Sequence, residues 1–335
     1  MTNSLSTKTT VTVLAVSLLL VLGLAVVLGV ESDSSQADER IVDWKYSTVS
    51  NYTSTSLVAT QERVYFVGEN RTGERTPPGA NLESIEISVY SLDSETGEEV
   101  WRFNIGAAQA IALNSQLTIH NGTVYASGIN GRFYAIDADS GTEEWNISTD
   151  DLDVPLSAVS DGVAYVGNRN RVRALDATTG GSLWNSGFND TVSVYWVTAS
   201  ENTVYVGGET SEELGGLVIA LNASSGEGIW SYKAPDSAFL RPPSVGDDSV
   251  YIRGTESIVR AIDIGTGEQE WEFNPGGYSS TLYGSVYLLN GTVYSPGDGV
   301  YAIDARTGEV RWRYNVSKVV DPRYLKDGRI YRQPK

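Results

Sequence analysis

After residue 40 the apolar positions fall into short alternating runs, such as VYFVG at 64–68, TVYASG at 123–128, VAYVGN at 163–168 and TVYVGG at 203–208. A period of two puts every second side chain on the same face of a strand. N-G, D-G and T-G pairs stand between the runs, and these are turn and hairpin signals. No long segment of period 3.6 occurs beyond residue 31. The pattern therefore predicts an all-β chain of short antiparallel strands.

One run departs from this. Residues 11–30, VTVLAVSLLLVLGLAVVLGV, carry no charge. Twenty residues at 1.5 Å each span about 30 Å as a helix, the thickness of a hydrocarbon core. Lys8 precedes the run, while Glu31, Asp33, Asp38 and Glu39 follow it. The positive-inside bias then places the short N-terminus, 1–10, in the cytoplasm. An acidic linker, 31–40, and a domain over 41–335 lie outside. The expected location is a single-pass anchor in the cell membrane with most of the chain extracytoplasmic. The alternative is a cleaved signal peptide and a secreted protein, although such apolar stretches usually run 7–15 residues.

An eleven-residue pattern, A-x-D-x-x-T-G-x-x-x-W, recurs six times: SLDSETGEEVW (91–101), AIDADSGTEEW (135–145), ALDATTGGSLW (174–184), ALNASSGEGIW (220–230), AIDIGTGEQEW (261–271) and AIDARTGEVRW (302–312). Successive Trp are 44, 39, 46, 41 and 41 residues apart. A β-type repeat of about 40 residues indicates propeller blades of four strands. Gly97, Gly141, Gly180, Gly226, Gly267 and Gly308 are placed where a tight turn needs positive φ. The Asp or Asn of each copy is placed to accept backbone N–H groups of that turn. The Trp is expected to bury its ring against the neighbouring blade and to give its N–H to one acceptor. These are structural docking residues, not catalytic ones. A Tyr precedes each copy, at 65, 125, 165, 205, 251 and 294, with a seventh at 331.

On these residues the chain resembles the quinoprotein-type (pyrroloquinoline quinone repeat) β-propeller family and its tryptophan docking motif. The resemblance covers 41–335. It implies a propeller, and within the family both quinone-dependent dehydrogenases and non-enzymatic assembly scaffolds of cell envelopes occur. One such scaffold is the lipoprotein partner of the outer-membrane barrel insertion machinery. Family dehydrogenases have eight blades, a vicinal cysteine pair beside the cofactor and a Ca²⁺ held by acidic and amide residues. Here there are seven Tyr strands and seven Trp strands, the first at Trp44 and the others at Trp101, Trp145, Trp184, Trp230, Trp271 and Trp312. Counting gives seven blades of three to four strands, with the Trp44 strand completing the last.

Alternating strands sort the connections onto two faces. The face of the Trp-strand exits carries the longer, non-repeating segments, where binding residues usually lie. Its candidate mouth is Trp196, Phe239, Arg241, Tyr278, Arg323 and Tyr324, aromatic and Arg anchors; the alternative is ordinary packing around a narrow channel. Asp150, Asp151 and Asp153 lack the Gly and distal Glu of a calcium loop, which favours a solvated turn.

Composition narrows the function. The 335 residues contain no Cys and one His, His120. That excludes disulfides, thiolate metal sites, a cysteine nucleophile and a lipidated N-terminal Cys, and it argues against zinc clusters. A net charge of −18 argues against sequence-independent nucleic-acid binding. An acidic surface of this kind keeps a protein soluble in concentrated salt, so a halophilic archaeal source is expected. Eight Asn-X-Ser/Thr triplets, including those at Asn121, Asn146, Asn222 and Asn290, agree with an external location. The expected role is a membrane-anchored scaffold or binding module with a protein partner at the cell surface. No enzyme activity, cofactor, metal or nucleic acid is expected. The alternatives are a sensor of sugars or peptides in the central channel and, further off, a quinone-dependent dehydrogenase.

Overall fold

The structure is a computed structural model. It describes residues 9–13, 44–48, 53–71, 85–108, 117–128, 130–149, 156–189, 192–211, 215–234, 241–254, 256–275, 285–297, 299–315, 325–326 and 329–330. These residues form strands and turns with no helix. Twenty-four of the strands make six four-stranded antiparallel sheets, each with its strands in sequence order.

The first sheet holds Thr53–Ala59, Arg63–Arg71, Ile85–Asp93 and Glu99–Ala108. The second holds Leu117–His120, Thr123–Ser127, Arg132–Asp137 and Glu143–Ser148. The third holds Leu156–Ser160, Val163–Asn168, Arg171–Asp176 and Ser182–Gly187. The fourth holds Val192–Ser200, Thr203–Thr210, Gly215–Asn222 and Gly228–Ala234. The fifth holds Ser244–Val245, Ser249–Arg253, Val259–Asp263 and Gln269–Phe273. The sixth holds Tyr287–Leu289, Thr292–Pro296, Gly299–Asp304 and Val310–Asn315.

The turns explain why these segments fold as they do. Between first and second strands, Asn121-Gly122 (φ 48° and 80°), Asp161-Gly162 (50° and 76°) and Asn290-Gly291 (49° and 66°) adopt the left-handed pair of a two-residue hairpin. The second and third strands are buried in nearly every sheet, whereas the fourth is largely exposed.

The chain divides by compactness into one unit of residues 1–159 with 177–181 and another of 160–176 with 182–335. In the first unit, Tyr65, Val67, Val89, Trp101, Ile105, Val124 and Ile136 form one buried cluster. In the second, Trp196, Tyr205, Val218 and Ile252 form one cluster, and Tyr251, Val259, Val293, Tyr301 and Ile303 another.

Two expectations concern the ends of the chain. The Trp44 strand, Trp44–Thr48, pairs with Thr9–Val13, and Leu325–Lys326 pairs with Arg329–Ile330. A seventh four-stranded sheet is not assembled among the described residues. The expected membrane span at 11–30 has its first three residues in the strand Thr9–Val13, and the rest of it lies outside the described residues. Among the described residues no helix is long and apolar enough to cross a membrane.

Candidate functional site

The repeated motif builds one turn, six times over. In its fifth copy, Asp263 Oδ1 accepts from Gly265 N at 3.0 Å, Thr266 N at 2.7 Å and Thr266 Oγ1 at 2.8 Å. Gly267 donates its N–H to Asp263 O at 3.0 Å and sits at φ 74°. The same bonds recur at Asp93, Asp137 and Asp304. Asn222 makes them with its amide oxygen, accepting from Ser224 and Ser225. Hydrogen bonds to the charged form hold these carboxyls below the usual range. The backbone N–H of Thr96 is the largest cause for Asp93, the Ser140 hydroxyl for Asp137 and the Thr266 hydroxyl for Asp263. At Asp304 the Arg311 guanidinium leads, and the value falls to about 2.

Each turn receives a ring. Trp101 donates Nε1–H to Ala138 O at 2.9 Å, Trp145 to Ala177 O at 3.0 Å, Trp184 to Ala223 O at 2.8 Å, Trp230 to Ile264 O at 2.9 Å and Trp271 to Ala305 O at 3.0 Å. In four of these sheets a Tyr hydroxyl, from Tyr65, Tyr125, Tyr165 or Tyr251, donates to that same carbonyl. The indole lies over the motif Gly: a Cβ built on Gly141, Gly180, Gly226, Gly267 or Gly308 falls within 2.6–2.8 Å of its atoms.

The sequence did not disclose how the ring is aimed. In all six sheets the pairing register shifts by one residue just before the Trp. Such a bulge bends the strand and re-aims a side chain. The extra residues are Val100, Glu144, Leu183, Ile229, Glu270 and Arg311. The polar ones reach across the sheet: Glu144 accepts from Thr123 Oγ1 at 3.0 Å, Glu270 from Ser249 Oγ at 2.6 Å, and Arg311 donates to Thr292 Oγ1. The apolar ones, Val100, Leu183 and Ile229, are exposed. The signal available in the sequence was the one-residue excess of spacing between the first residue and the Trp of each copy over a plain hairpin.

The sixth sheet breaks the pattern. Tyr287, Tyr294, Ala302 and Trp312 stand opposite one another across its strands and share a face. The Tyr294 and Trp312 rings pack at 5.9 Å, as the corresponding pairs do elsewhere. Trp312 is 37% exposed, whereas Trp101 is buried and Trp145, Trp184, Trp230 and Trp271 are half-buried. Tyr314, two places on, is 48% exposed, while its counterparts Phe103, Ile147, Ser186, Tyr232 and Phe273 are half-buried. Among the described residues neither Trp312 Nε1 nor Tyr294 Oη finds an acceptor. The middle of that face is closed, with Val300 and Ala302 both at 0% exposure. The exposed part is the outer strand, from Val310 to Tyr314. Sequence reasoning treated Trp312 and Tyr294 as equivalent to their counterparts in the other copies and did not single out Tyr314.

Of the mouth predicted from sequence, only Trp196 and Arg241 lie among the described residues. Trp196 is buried at 3% in the first strand of the fourth sheet, inside the Tyr205–Val218–Ile252 cluster. Its indole lies on Gly207, where a Cβ would stand 1.8 Å from Cε2. It is a core residue, because the glycine opposite leaves room for a ring. Arg241 donates its N–H to Arg253 O at 2.9 Å. Arg253, itself buried, donates from Nη2 to Ser257 Oγ at 2.8 Å; burial, then the Arg241 charge, brings its pKa down to about 10. Beside Trp196, the Tyr195 hydroxyl donates to Glu209 Oε1, and burial followed by that bond pushes it up to about 12. Phe239, Tyr278, Arg323 and Tyr324 lie outside the described residues, as do the aspartates 150, 151 and 153.

A family model described as outer membrane protein assembly factor BamB matches residues 86–169 and 168–327. The chain is 29% identical over 279 residues to the quinohemoprotein alcohol dehydrogenase ADH IIB of Pseudomonas putida, covering 71% of this chain and 36% of that one. It is 22% identical over 281 residues to the outer membrane protein assembly factor BamB of Moranella endobia, covering 74% of this chain and 70% of that protein. Among solved structures, BamB from Moraxella catarrhalis superposes with a TM-score of 0.54 at 17% identity, over 79% of this chain and 86% of that one; this likeness concerns the fold. These relatives are bacterial, and the chain spans about a third of the length of the alcohol dehydrogenase it matches. Among the described residues no three His, Asp or Glu gather as a metal-binding group, and Trp196, the aromatic the sequence put forward, is buried on Gly207. The repeat match across 86–327, together with the all-β sheets that carry it, shows that this chain belongs to the PQQ-like repeat family of the outer membrane protein assembly factor BamB.

Proposed function

We propose that this protein is a membrane-anchored, extracytoplasmic protein-interaction module and not an enzyme. The observation that carries the reading is the apolar side chain that the bulge in the fourth strand turns to solvent in three sheets. Val100, Leu183 and Ile229 are all exposed there. Exposed apolar side chains serve as contact points of protein interfaces. A family model described as an assembly factor, matched over most of the chain, supports the same reading. The apolar run at 11–30 supports the anchor, and the seven Tyr and Trp segments support a seven-bladed closure.

The test is affinity capture of the tagged full chain from its own membranes in molar salt, read as the stoichiometry of co-purifying protein. One partner near equimolar recovery is the expected result. Recovery of the chain alone, with tight binding of the quinone and oxidation of an alcohol, would overturn the proposal and favour the activity named for the Pseudomonas relative.

A further inference from the structure

One residue of the repeated motif departs from its copies in a way that the turn does not require. Five copies place an Asp at the head of the turn, and the fourth places Asn222, which opens the triplet Asn222-Ala223-Ser224. We propose that Asn222 is a glycosylation site, its side-chain nitrogen carrying a sugar chain on the mature protein. The proposal rests on the extracytoplasmic reading above and adds a covalent modification to it.

The turn needs only one side-chain oxygen. Asn222 Oδ1 accepts from Ser224 N and Ser225 N, both at 3.0 Å, and from Ser224 Oγ at 2.7 Å, as Asp263 Oδ1 does in the fifth copy. The second atom is where the copies differ. Asp304 Oδ2 accepts from Arg311 Nη2 at 2.7 Å, and Asp93 Oδ2 lies 3.5 Å from Arg63 Nη1. In the fourth sheet Thr203 stands at the place of Arg63 and Ile229 at the place of Arg311. Asn222 Nδ2 has no hydrogen-bond partner among the described residues. A chain linked through nitrogen leaves the amide oxygen in place, so the turn keeps its bonds and Trp184 keeps its acceptor, Ala223 O. Ser224, Ser225, Glu227 and Gly228 are exposed beside it, which leaves room for a bulky, hydrated group.

Four such triplets lie wholly among the described residues, and the triplet is read through its hydroxyl as well as its amide. Asn146 is committed at both atoms: Nδ2 donates to Glu143 Oε1 at 2.6 Å and Oδ1 accepts from Arg132. Asn121 and Asn290 are exposed, but the hydroxyl two places on is buried and held, Thr123 by Glu144 and Thr292 by Arg311. Of the four, Asn222 alone combines an unbound Nδ2 with an exposed hydroxyl. In the transfer, Nδ2 attacks the anomeric carbon of a sugar held on a lipid phosphate carrier. The C–N bond forms, the C–O bond to the phosphate breaks, the phosphate leaves with the bonding pair, and one Nδ2 proton passes to solvent. Donors on Oδ1 favour loss of that proton.

The experiment takes the full chain from its own membranes, cleaves it after glutamate and weighs the peptide 214–227, which contains Asn222 and no other triplet. A mass raised by one or more sugar units is expected, located to Asn222 by fragmentation. Asn222→Gln and Ser224→Ala should abolish the increment, and Ser224→Thr should keep it. Asn222→Asp should abolish it and still fold, because a carboxylate serves this turn in five other copies. An unmodified 214–227 peptide would overturn the proposal, and so would occupancy of Asn146 equal to that of Asn222. Protease added to intact cells separates the two readings. Digestion of the domain with an unmodified peptide leaves the extracytoplasmic reading standing and removes only the glycan; protection of the domain with an unmodified peptide removes both.

Discussion

Replacing Gly267 with Ala isolates the contact that joins indole to turn. Gly267 sits at φ 74°, and an added Cβ would meet Trp230 Cδ2 at 2.7 Å and Cγ and Cε3 at 2.8 Å. The left-handed conformation costs an alanine about 1–2 kcal/mol relative to glycine. Forcing the ring aside adds about 1–3 kcal/mol of overpacking, since Trp230 is tied to Ile264 O at 2.9 Å and has little freedom to withdraw. The sum is about 2–5 kcal/mol. Gly291 supplies the control within the same unit: its φ is 66°, but nothing lies within 4 Å of the added Cβ. Gly291→Ala should therefore cost only the conformational part. At about 2–4 °C per kcal/mol for a body of this size, the Gly267 variant should melt roughly 10 °C below wild type and the Gly291 variant only a few degrees below. Circular dichroism melts in fixed molar salt measure both. Adding Trp230→Ala to the Gly267 variant should cost much less than the same change in wild type, because the clash has gone. Equal losses for Gly267→Ala and Gly291→Ala would show that the ring exerts no pressure on the turn, and the docking argument would fail.

Acid should loosen the turns. Asp93, Asp137, Asp263 and Asp304 have folded values depressed below the unfolded value near 4. Their contribution is present above pH ~4 and is lost as pH falls toward the folded values, about 2 for Asp304. Denaturation midpoints followed from pH 5 to 2 should drop, and Asp304→Asn, which keeps the acceptor as Asn222 does, should flatten the slope. Gly207→Ala should be among the most damaging single changes, because its Cβ would overlap Trp196; Trp196→Ala should cost about 3–5 kcal/mol by chemical denaturation, and a wild-type midpoint would return Trp196 to the surface. With a net charge of −18, self-repulsion should lower the melting temperature on dilution from molar to low salt, and a flat melting profile across that range would remove the case for salt adaptation.

The all-β class, the six motif copies, their turns and their tyrosines were legible in the residue order alone. Each depends on neighbours within about eleven residues: an Asp that accepts N–H groups two and three places on, a Gly at φ near 70°, a period of two along each strand. What lies across a gap of forty residues or between strands was not written there. The bulge before each Trp depends on cross-strand register, and the six copies show the same spacing with Val, Glu, Leu, Ile or Arg as the extra residue. Trp196 reads as an anchor beside variable loops, but its surroundings are set by Gly207 on the next strand, which opens a slot for the ring. Local hydrogen bonding and alternation decide turns and strands; burial is decided by whichever surface the fold brings opposite, and only the tertiary structure contains that surface.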